Sequence, residues 1–197
     1  MDDKTTKDKI IEAMYHLVAE KGYDKTSIGQ IADSIGIKKA SVYYYFKSKE
    51  DIFFQMVKII YEKDYYYSNK LLVEEIREDA YQQELITIGE EFIDSYFENK
   101  DLRKIYAEID VQTARIPELK KIAKDADEEL IKFLVRCMKQ GVEIGVLPQN
   151  CDVDLNAQIL YTMLTGIDQA ILYDLPIDAK AVWKETIMRL FERRVCN

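Results

Sequence analysis

Apolar residues recur along most of the chain with the spacing of helix faces. Between residues 10 and 18 they fall at positions i, i+1, i+4, i+7 and i+8, and Gly22 follows where a helix end belongs. The same spacing predicts later helices at roughly 80–98, 101–114, 117–144, 153–173 and 178–195, with Pro117, Pro148 and Pro176 at their junctions. No stretch alternates convincingly with a period of two. The sequence therefore predicts an all-α fold of about nine helices.

Two short helices are predicted between the first helix and a long fourth one. Ser27 and Gln30 form a capping-box pattern at the start of the second helix, and Gly36 ends it after about two turns. A third helix is predicted over residues 38–46, and a second capping-box pattern opens the fourth helix at Ser48. Two short helices joined by a glycine-containing turn of about four residues are typical of a helix-turn-helix.

The third helix carries three consecutive tyrosines, and only part of its surface can face a core. Val42 and Phe46 lie within about 40° of each other and take the core side. Tyr43, Tyr44 and Tyr45 sweep about 200°, so they cannot all be buried. In the second helix of a helix-turn-helix the exposed face enters the DNA major groove, where tyrosine hydroxyls can donate hydrogen bonds to phosphates.

The charge pattern around these tyrosines differs from that of the whole chain. Residues 1–60 hold ten lysines and nine acids, a net charge of +1. Since the whole chain has a net charge of −8, residues 61–197 carry −9. Residues 38–49 contain four lysines and no acid, namely Lys38, Lys39, Lys47 and Lys49. A DNA-binding domain is usually more basic than this, and solvated lysines beside an aromatic patch are the alternative reading. Lys49 lies at the start of a helix, where the helix dipole favours an anion such as a phosphate.

Composition restricts the class of protein. The chain has 197 residues and is 48% hydrophobic, which is enough to bury a sizeable core. No uncharged run approaches the ~20 residues of a bilayer span, and the N-terminus is polar, so a cytoplasmic location is expected. Cys137, Cys151 and Cys196 are odd in number and widely spaced, which favours reduced thiols over disulfides.

The sequence offers no recognisable catalytic constellation. The single histidine, His16, is predicted to lie in the middle of a helix. There is no Cys/His cluster with metal-ligand spacing, no glycine-rich nucleotide loop and no nucleophile elbow. We therefore expect no cofactor, no metal site and no enzymatic activity. Catalysis by dispersed carboxylates is the alternative that this leaves.

The run TSIGQIADSIGIKKASVYYYFKSKEDIF, residues 26–53, resembles the DNA-binding domain of the tetracycline-repressor (TetR) family of bacterial transcriptional regulators. The resemblance implies a helix-turn-helix DNA-binding domain over residues 1–47 and a helical effector-binding and dimerisation domain over residues 48–197. It further implies a repressor that binds a pseudo-palindromic operator on double-stranded DNA as a homodimer and is released by a small-molecule effector. An architectural or protein-interaction module that binds DNA without effector release is the alternative.

The resemblance also assigns roles to individual residues. Base-reading positions early in the recognition helix match Lys39, Ala40 and Ser41, and Tyr44 matches a position that contacts thymine methyls or sugars. The remaining expected DNA-binding residues, mostly phosphate contacts, are Ser27, Lys38, Tyr43, Tyr45 and Lys49. Two positions depart from the family pattern. Tyr45 replaces a common histidine or asparagine, and Gly29 stands where some relatives place a base-reading side chain, which leaves fewer side chains to specify a sequence.

Two further sets of residues follow from the family's C-terminal domain. Family proteins enclose their effector between the central helices; the candidates here are Phe92, Tyr96, Tyr106, Ile109, Met138 and Tyr161, which also suit a plain core. The last two helices usually pair with those of a second copy. The predicted helix at 153–173 carries a broad apolar band around Gly166, which supports such pairing. The dimer-interface candidates are Leu160, Met163, Leu164, Ile167, Ile187 and Phe191.

Overall fold

A computed structural model describes residues 4–73 and 78–192, with side chains described over 4–62 and 78–192. Within these ranges the protein forms nine α-helices and no strand, so the all-α prediction is confirmed. The helices are α1 (Thr6–Lys21), α2 (Ile28–Ser34), α3 (Lys39–Tyr45), α4 (Lys49–Val73), α5 (Tyr81–Glu98), α6 (Lys100–Thr113), α7 (Pro117–Glu143), α8 (Val153–Leu172) and α9 (Ala179–Glu192). The predicted end of the last helix at residue 195 lies outside the described residues.

Local sequence determines where several helices begin and end. At the start of α1, Thr5 Oγ1 accepts a hydrogen bond from Asp8 N at 3.2 Å, and Asp8 Oδ2 accepts one from Thr5 N at 3.1 Å. This reciprocal pair satisfies two backbone donors that the helix itself leaves unpaired. Gly22 ends α1 with a φ of 85°, a conformation that a side chain would strain. Pro117 stands at the first position of α7, as predicted.

The first of two compact units comprises the described residues within 1–62 and 99–124. One apolar core is shared by helices α1, α2, α3 and α6, together with the first turns of α4 and the start of α7. Within this unit α1 packs along α6. Its fully buried residues include Ile10, Met14, Ile31, Val42, Ile52, Phe53, Ile105 and Leu119. Packing therefore groups α6 with the helix-turn-helix, while the functional division between residues 47 and 48 stays a prediction.

The second unit comprises the described residues within 63–98 and 125–197. In it α5 packs mainly against α9, and α8 packs against both. The buried Trp183 indole N–H on α9 donates to the carbonyl oxygens of Leu85 and Ile86 on α5, each at 3.2 Å. The Tyr81 hydroxyl donates to Cys137 O on α7 at 2.6 Å. These contacts fix α5 against α7 and α9.

The described cysteines are free thiols. Cys137 is buried, and this burial raises the pKa of its thiol to about 12, so it is protonated at neutral pH. Cys151 is partly exposed, and burial raises its pKa as well. Cys196 lies outside the described residues.

The described residues contain neither a membrane-spanning helix nor a cluster of potential metal ligands. No helix there is long and apolar enough to cross a membrane. No group of three or more histidine, cysteine or acidic side chains there could hold a metal ion.

Candidate nucleic-acid interface

Short-range hydrogen bonds hold the start of α2 and the turn between α2 and α3. Ser27 Oγ accepts from Gln30 N at 3.3 Å and Gln30 Oε1 accepts from Ser27 N at 3.0 Å, which confirms the predicted capping box of α2. Gly36 takes a φ of 69° in the turn, and Ile37 N then donates to Ala32 O at 3.0 Å. This left-handed step reverses the chain sharply because glycine has no Cβ to strain. Residues 35–38 therefore join two short helices, as in a helix-turn-helix.

Helix α3 is anchored by one side and exposes the other. Val42 is fully buried and Phe46 is 3% exposed, so both face the core as predicted. Tyr44 is 85% exposed, Tyr43 50% and Tyr45 40%. The rings of Tyr44 and Tyr45 meet edge to face with centroids 5.1 Å apart. Three aromatic side chains with polar hydroxyls thus face outward from one helix.

Cationic and small side chains surround the exposed tyrosines. Lys38, Lys39 and Lys47 are exposed, and within the described residues none of them forms an ion pair. Ala40 and Ser41 are also exposed in the first turn of α3. Small residues at this position let the helix backbone approach another surface closely, while the lysines supply the charge. The surface suits a polyanion whose groove admits an α-helix, as the major groove of DNA does.

Lys49 is placed differently from the other three lysines. It is half-buried, and its ammonium donates to Tyr23 O at 3.0 Å and lies 4.0 Å from the centroid of the Tyr23 ring. Tyr23 is buried and packs on Phe53 with ring centroids 4.6 Å apart. A cation over an aromatic face beside a carbonyl oxygen is electrostatically favourable. Lys49 therefore links the start of α4 to the turn between α1 and α2.

The start of α4 also carries two carboxylates of its own. Asp51 Oδ2 accepts from Lys47 N at 3.0 Å, and Asp51 N donates to Ser48 Oγ at 3.2 Å. The pKa of Glu50 is lowered, first by its own backbone N–H, then by the hydroxyls of Ser48 and Tyr23 and by the Lys49 charge. Burial, with Glu50 beside it, raises the pKa of the Tyr23 hydroxyl. The helix dipole is thus met by acids of the chain itself.

Tyr23 is the residue at this surface that pattern-based reasoning missed. It follows the glycine that ends α1, so it belongs to no helix face and contributes to no periodicity. The available signal was an aromatic residue directly after a helix-terminating glycine, a position from which a ring can cover the end of the helix.

Comparisons with known proteins identify the family to which this surface belongs. Residues 10–56 match the sequence profile of bacterial regulatory proteins of the tetR family. The biofilm operon icaADBC HTH-type negative transcriptional regulator IcaR of Staphylococcus aureus (strain Newman) is 34% identical over 144 residues, which cover 64% of this chain and 73% of that protein. The chain belongs to the TetR family. It is a DNA-binding transcriptional regulator, as the resemblance implied.

Solved structures of TetR-type regulators share the fold over nearly the whole chain. A TetR transcription regulator from Haloarcula marismortui superposes with a TM-score of 0.80 at 21% identity, covering 95% of this chain and 96% of that one. SmeT, the repressor of the Stenotrophomonas maltophilia multidrug efflux pump SmeDEF, superposes with a TM-score of 0.77 at 15% identity, covering 96% and 90%. At these identities the likeness establishes the common fold alone.

The residues expected to line an effector site in this TetR-family protein fall in both compact units. Tyr106 and Ile109 belong to the first unit, and Ile109 is 1% exposed in its core. The second unit holds the other four, Phe92, Tyr96, Met138 and Tyr161. Phe92 and Tyr96 are neighbours on α5 with ring centroids 5.1 Å apart, and Met138 is fully buried. The assignment of the six residues to a ligand stays a prediction.

The residues expected at the dimer interface lie mostly inside the chain's own core. Leu160, Leu164, Ile167, Ile187 and Phe191 are each less than 10% exposed, and Met163 is half-buried. The exposed apolar residues of α8 and the segment after it are instead Leu155, Ile159, Tyr173, Leu175 and Ile177. Pairing through the six predicted residues stays a prediction, and the exposed set offers a second surface for it.

Proposed function

We propose that this protein is a repressor that binds a pseudo-palindromic operator as a homodimer and releases it when a small molecule binds the helical domain predicted over residues 48–197. The observation that carries the proposal is the outward face of α3, with Tyr43, Tyr44 and Tyr45 between exposed lysines. In a helix-turn-helix the second helix enters the major groove and its first residues reach the base edges. Here those first residues are Lys39, Ala40 and Ser41.

The sign of regulation is proposed from the relatives. The S. aureus relative is described as a negative transcriptional regulator, and SmeT as the repressor of an efflux pump. Repression requires only that the bound dimer occupies a promoter. A second copy doubles the base contacts and places two recognition helices about one helical turn of DNA apart, ~34 Å.

Selection of duplexes from a random library tests the DNA-binding proposal. We expect an inverted repeat to be enriched, and Lys39→Ala to relax the preference at one position of each half-site by ~1–3 kcal/mol. Lys9→Ala is the matched control, since Lys9 is exposed on α1 outside the helix-turn-helix. Enrichment of no common sequence would favour an architectural DNA-binding module and contradict an operator-specific repressor.

The proposed dimer uses one exposed stripe of α8. Successive residues of a helix are about 100° apart. Five exposed residues therefore share one side of α8, namely Leu155, Ile159, Thr162, Gly166 and Gln169. Nothing lies within 4 Å of the position that a Gly166 Cβ would occupy. Two copies of α8 can approach each other closely at Gly166, and the exposed Leu155 and Ile159 of each copy can then be covered by the other. This surface is therefore available to a partner without disturbing the chain's own core.

The dimer proposal is tested by molar mass in solution. Ile159→Glu places a charge in the stripe and should convert the dimer to a folded monomer, because an unpaired charge at a packed interface is costly. Lys139→Glu on α7 is the control, an exposed charge change outside α8 and α9 that should leave the dimer intact. A dimer that survives Ile159→Glu but not Met163→Glu would assign the interface to the residues predicted from the sequence, since Met163 is half-buried and not part of the fully buried core.

The effector proposal rests on the aromatic residues of the second unit. Phe92, Tyr96 and Tyr161 are buried or half-buried, and burial, with Asp127 beside it, raises the pKa of Tyr161. Trp183, the single tryptophan, is buried against α5 and reports on packing there by its fluorescence. A panel of apolar aromatic compounds is titrated while tryptophan fluorescence and duplex release are measured together. A compound that changes the fluorescence and binds equally well to free and DNA-bound protein would contradict effector release.

A further inference from the structure

Lys7, in the first turn of α1, lies beside the end of the recognition helix. Its ammonium is 5.8 Å from the centroid of the Phe46 ring. Phe46 is the C-cap of α3, is 3% exposed and donates its backbone N–H to Val42 O at 3.0 Å. Because Phe46 is fixed in the core, the first turn of α1 is held next to the last turn of α3.

Phe46 stands between Tyr45, an expected DNA-binding residue, and Lys47, one of the exposed lysines beside the tyrosines. Tyr45 is 40% exposed and Lys47 is exposed, so the chain presents a hydroxyl before the buried ring and a cation after it. Phosphates follow one another every ~3.4 Å of helix axis along each strand. A cation next to a phosphate-contacting group therefore lies within reach of a neighbouring phosphate.

Lys7 differs from the other lysines of α1 in what surrounds it. Lys4 is already paired with Glu12 at 2.7 Å. Lys9 is two residues further along, about 200° around the helix, and so faces away from Phe46. Lys7 is exposed and makes no ion pair within the described residues. The nearby Asp8 carboxylate is engaged by Thr5, whose backbone N and hydroxyl both donate to it at 3.1 and 2.7 Å.

We propose that Lys7 contacts the DNA phosphate backbone, so that the interface extends from α3 onto the first turn of α1. A contact of this kind adds affinity and fixes the orientation of the helix-turn-helix on the duplex, while it carries no sequence information. The Phe46 ring contributes by holding the ammonium at the edge of the α3 surface through a cation–π contact. This inference rests on the proposed role of α3 in reading DNA.

The test is the salt dependence of binding to the duplex recovered by selection, measured by fluorescence anisotropy. For Lys7→Met, which keeps the aliphatic stem, we expect the slope of log K against log salt to fall by about 0.9 per half-site. Lys7→Arg should retain the wild-type slope. Binding to a scrambled duplex should weaken by the same factor as binding to the selected one. Lys9→Met is the matched control and should change neither slope nor affinity.

Two outcomes would overturn the inference. One is a Lys7→Met slope equal to that of Lys9→Met, and the other is a loss confined to the selected duplex. Thermal unfolding of Lys7→Met and Lys9→Met shows whether the DNA-binding helices remain folded. A purely structural role of Lys7 would lower stability without changing the slope of log K against log salt. If selection enriches no sequence, the same slopes are measured on a mixed-sequence duplex, because a phosphate contact does not depend on the operator. Failure of the repressor proposal is thus separated from failure of the Lys7 contact.

Discussion

Gly89→Ala is expected to destabilise the protein although alanine is the better helix former. Gly89 lies inside α5, where replacing glycine by alanine ordinarily stabilises by ~0.5–1 kcal/mol. Here a Cβ would lie 2.0 Å from Trp183 Nε1 and 2.1 Å from its Cε2, whereas ordinary contacts are 3.4–4 Å. The indole is 3% exposed and belongs to a rigid ring, so it must move as a whole.

The magnitude follows from what the indole loses when it moves. A retreat of well over an ångström breaks both hydrogen bonds to Leu85 O and Ile86 O, which are now 3.2 Å long. A buried N–H left without a partner costs about 1–3 kcal/mol, and overpacking about 1–3 kcal/mol more. After the ~0.5–1 kcal/mol gained from helix propensity is subtracted from these costs, the free energy of unfolding should fall by ~2–4 kcal/mol. Denaturant unfolding followed by circular dichroism measures it.

A double-mutant cycle isolates the cause. In a Trp183→Leu background the ring is gone, and adding Gly89→Ala should then be neutral or stabilising, so the sign of its effect reverses. Gly29→Ala in α2 is a second comparison, because the nearest atom to the Cβ that it adds is Ser27 Oγ at 3.8 Å, an ordinary contact. If Gly89→Ala is equally destabilising with and without the tryptophan, the close approach of the two helices is not the reason.

Three further outcomes are expected. With Cys196 replaced by serine, Cys151 of the folded protein should react with a thiol reagent at pH 8 far faster than Cys137, whose burial raises its pKa to about 12. Equal labelling rates would contradict this difference in burial. Because the unfolded thiol ionises first, the same raised pKa means that stability is lost as pH rises from ~8.5 towards 12. Ser27→Ala should lower the unfolding free energy by ~1 kcal/mol and Ser27→Gly by only a few tenths, which thermal unfolding of the two variants distinguishes. Lys49→Met should lower stability by about 1 kcal/mol through loss of its carbonyl and ring contacts. It should also flatten the salt dependence of DNA binding by about 0.9 per half-site, and either change without the other assigns Lys49 to one role.

The features that the sequence predicted well are those that depend on neighbours along the chain. The capping pair Ser27 and Gln30, and the glycine after the second helix, are encoded within a few residues, so the helix-turn-helix follows from local rules. The exposure of Tyr44 also follows locally, since Val42 and Phe46 decide which side of α3 faces inward. Every predicted DNA-binding residue of α3 lies at the surface for this reason.

The features that escaped prediction depend on contacts between distant segments. Periodicity finds the apolar positions of α8, but it does not show which of two apolar sides the rest of the chain covers. The helix buries Leu160 and Leu164 against its own unit and leaves Leu155 and Ile159 exposed. In the same way, no pattern around Gly89 indicates that an indole 94 positions further along requires its missing side chain.

Lys49 shows how a correct local rule can still leave the partner of a residue undetermined. A cation at the start of a helix needs compensation, and a phosphate was the partner inferred from the sequence. In the structure Glu50 and Asp51 supply negative charge at that helix end, and the Lys49 ammonium turns to the carbonyl and ring of Tyr23. An ammonium has three donors, so one can remain on Tyr23 O while another reaches a phosphate. Tyr23 would then hold Lys49 in place before DNA arrives and reduce the side-chain entropy lost on binding.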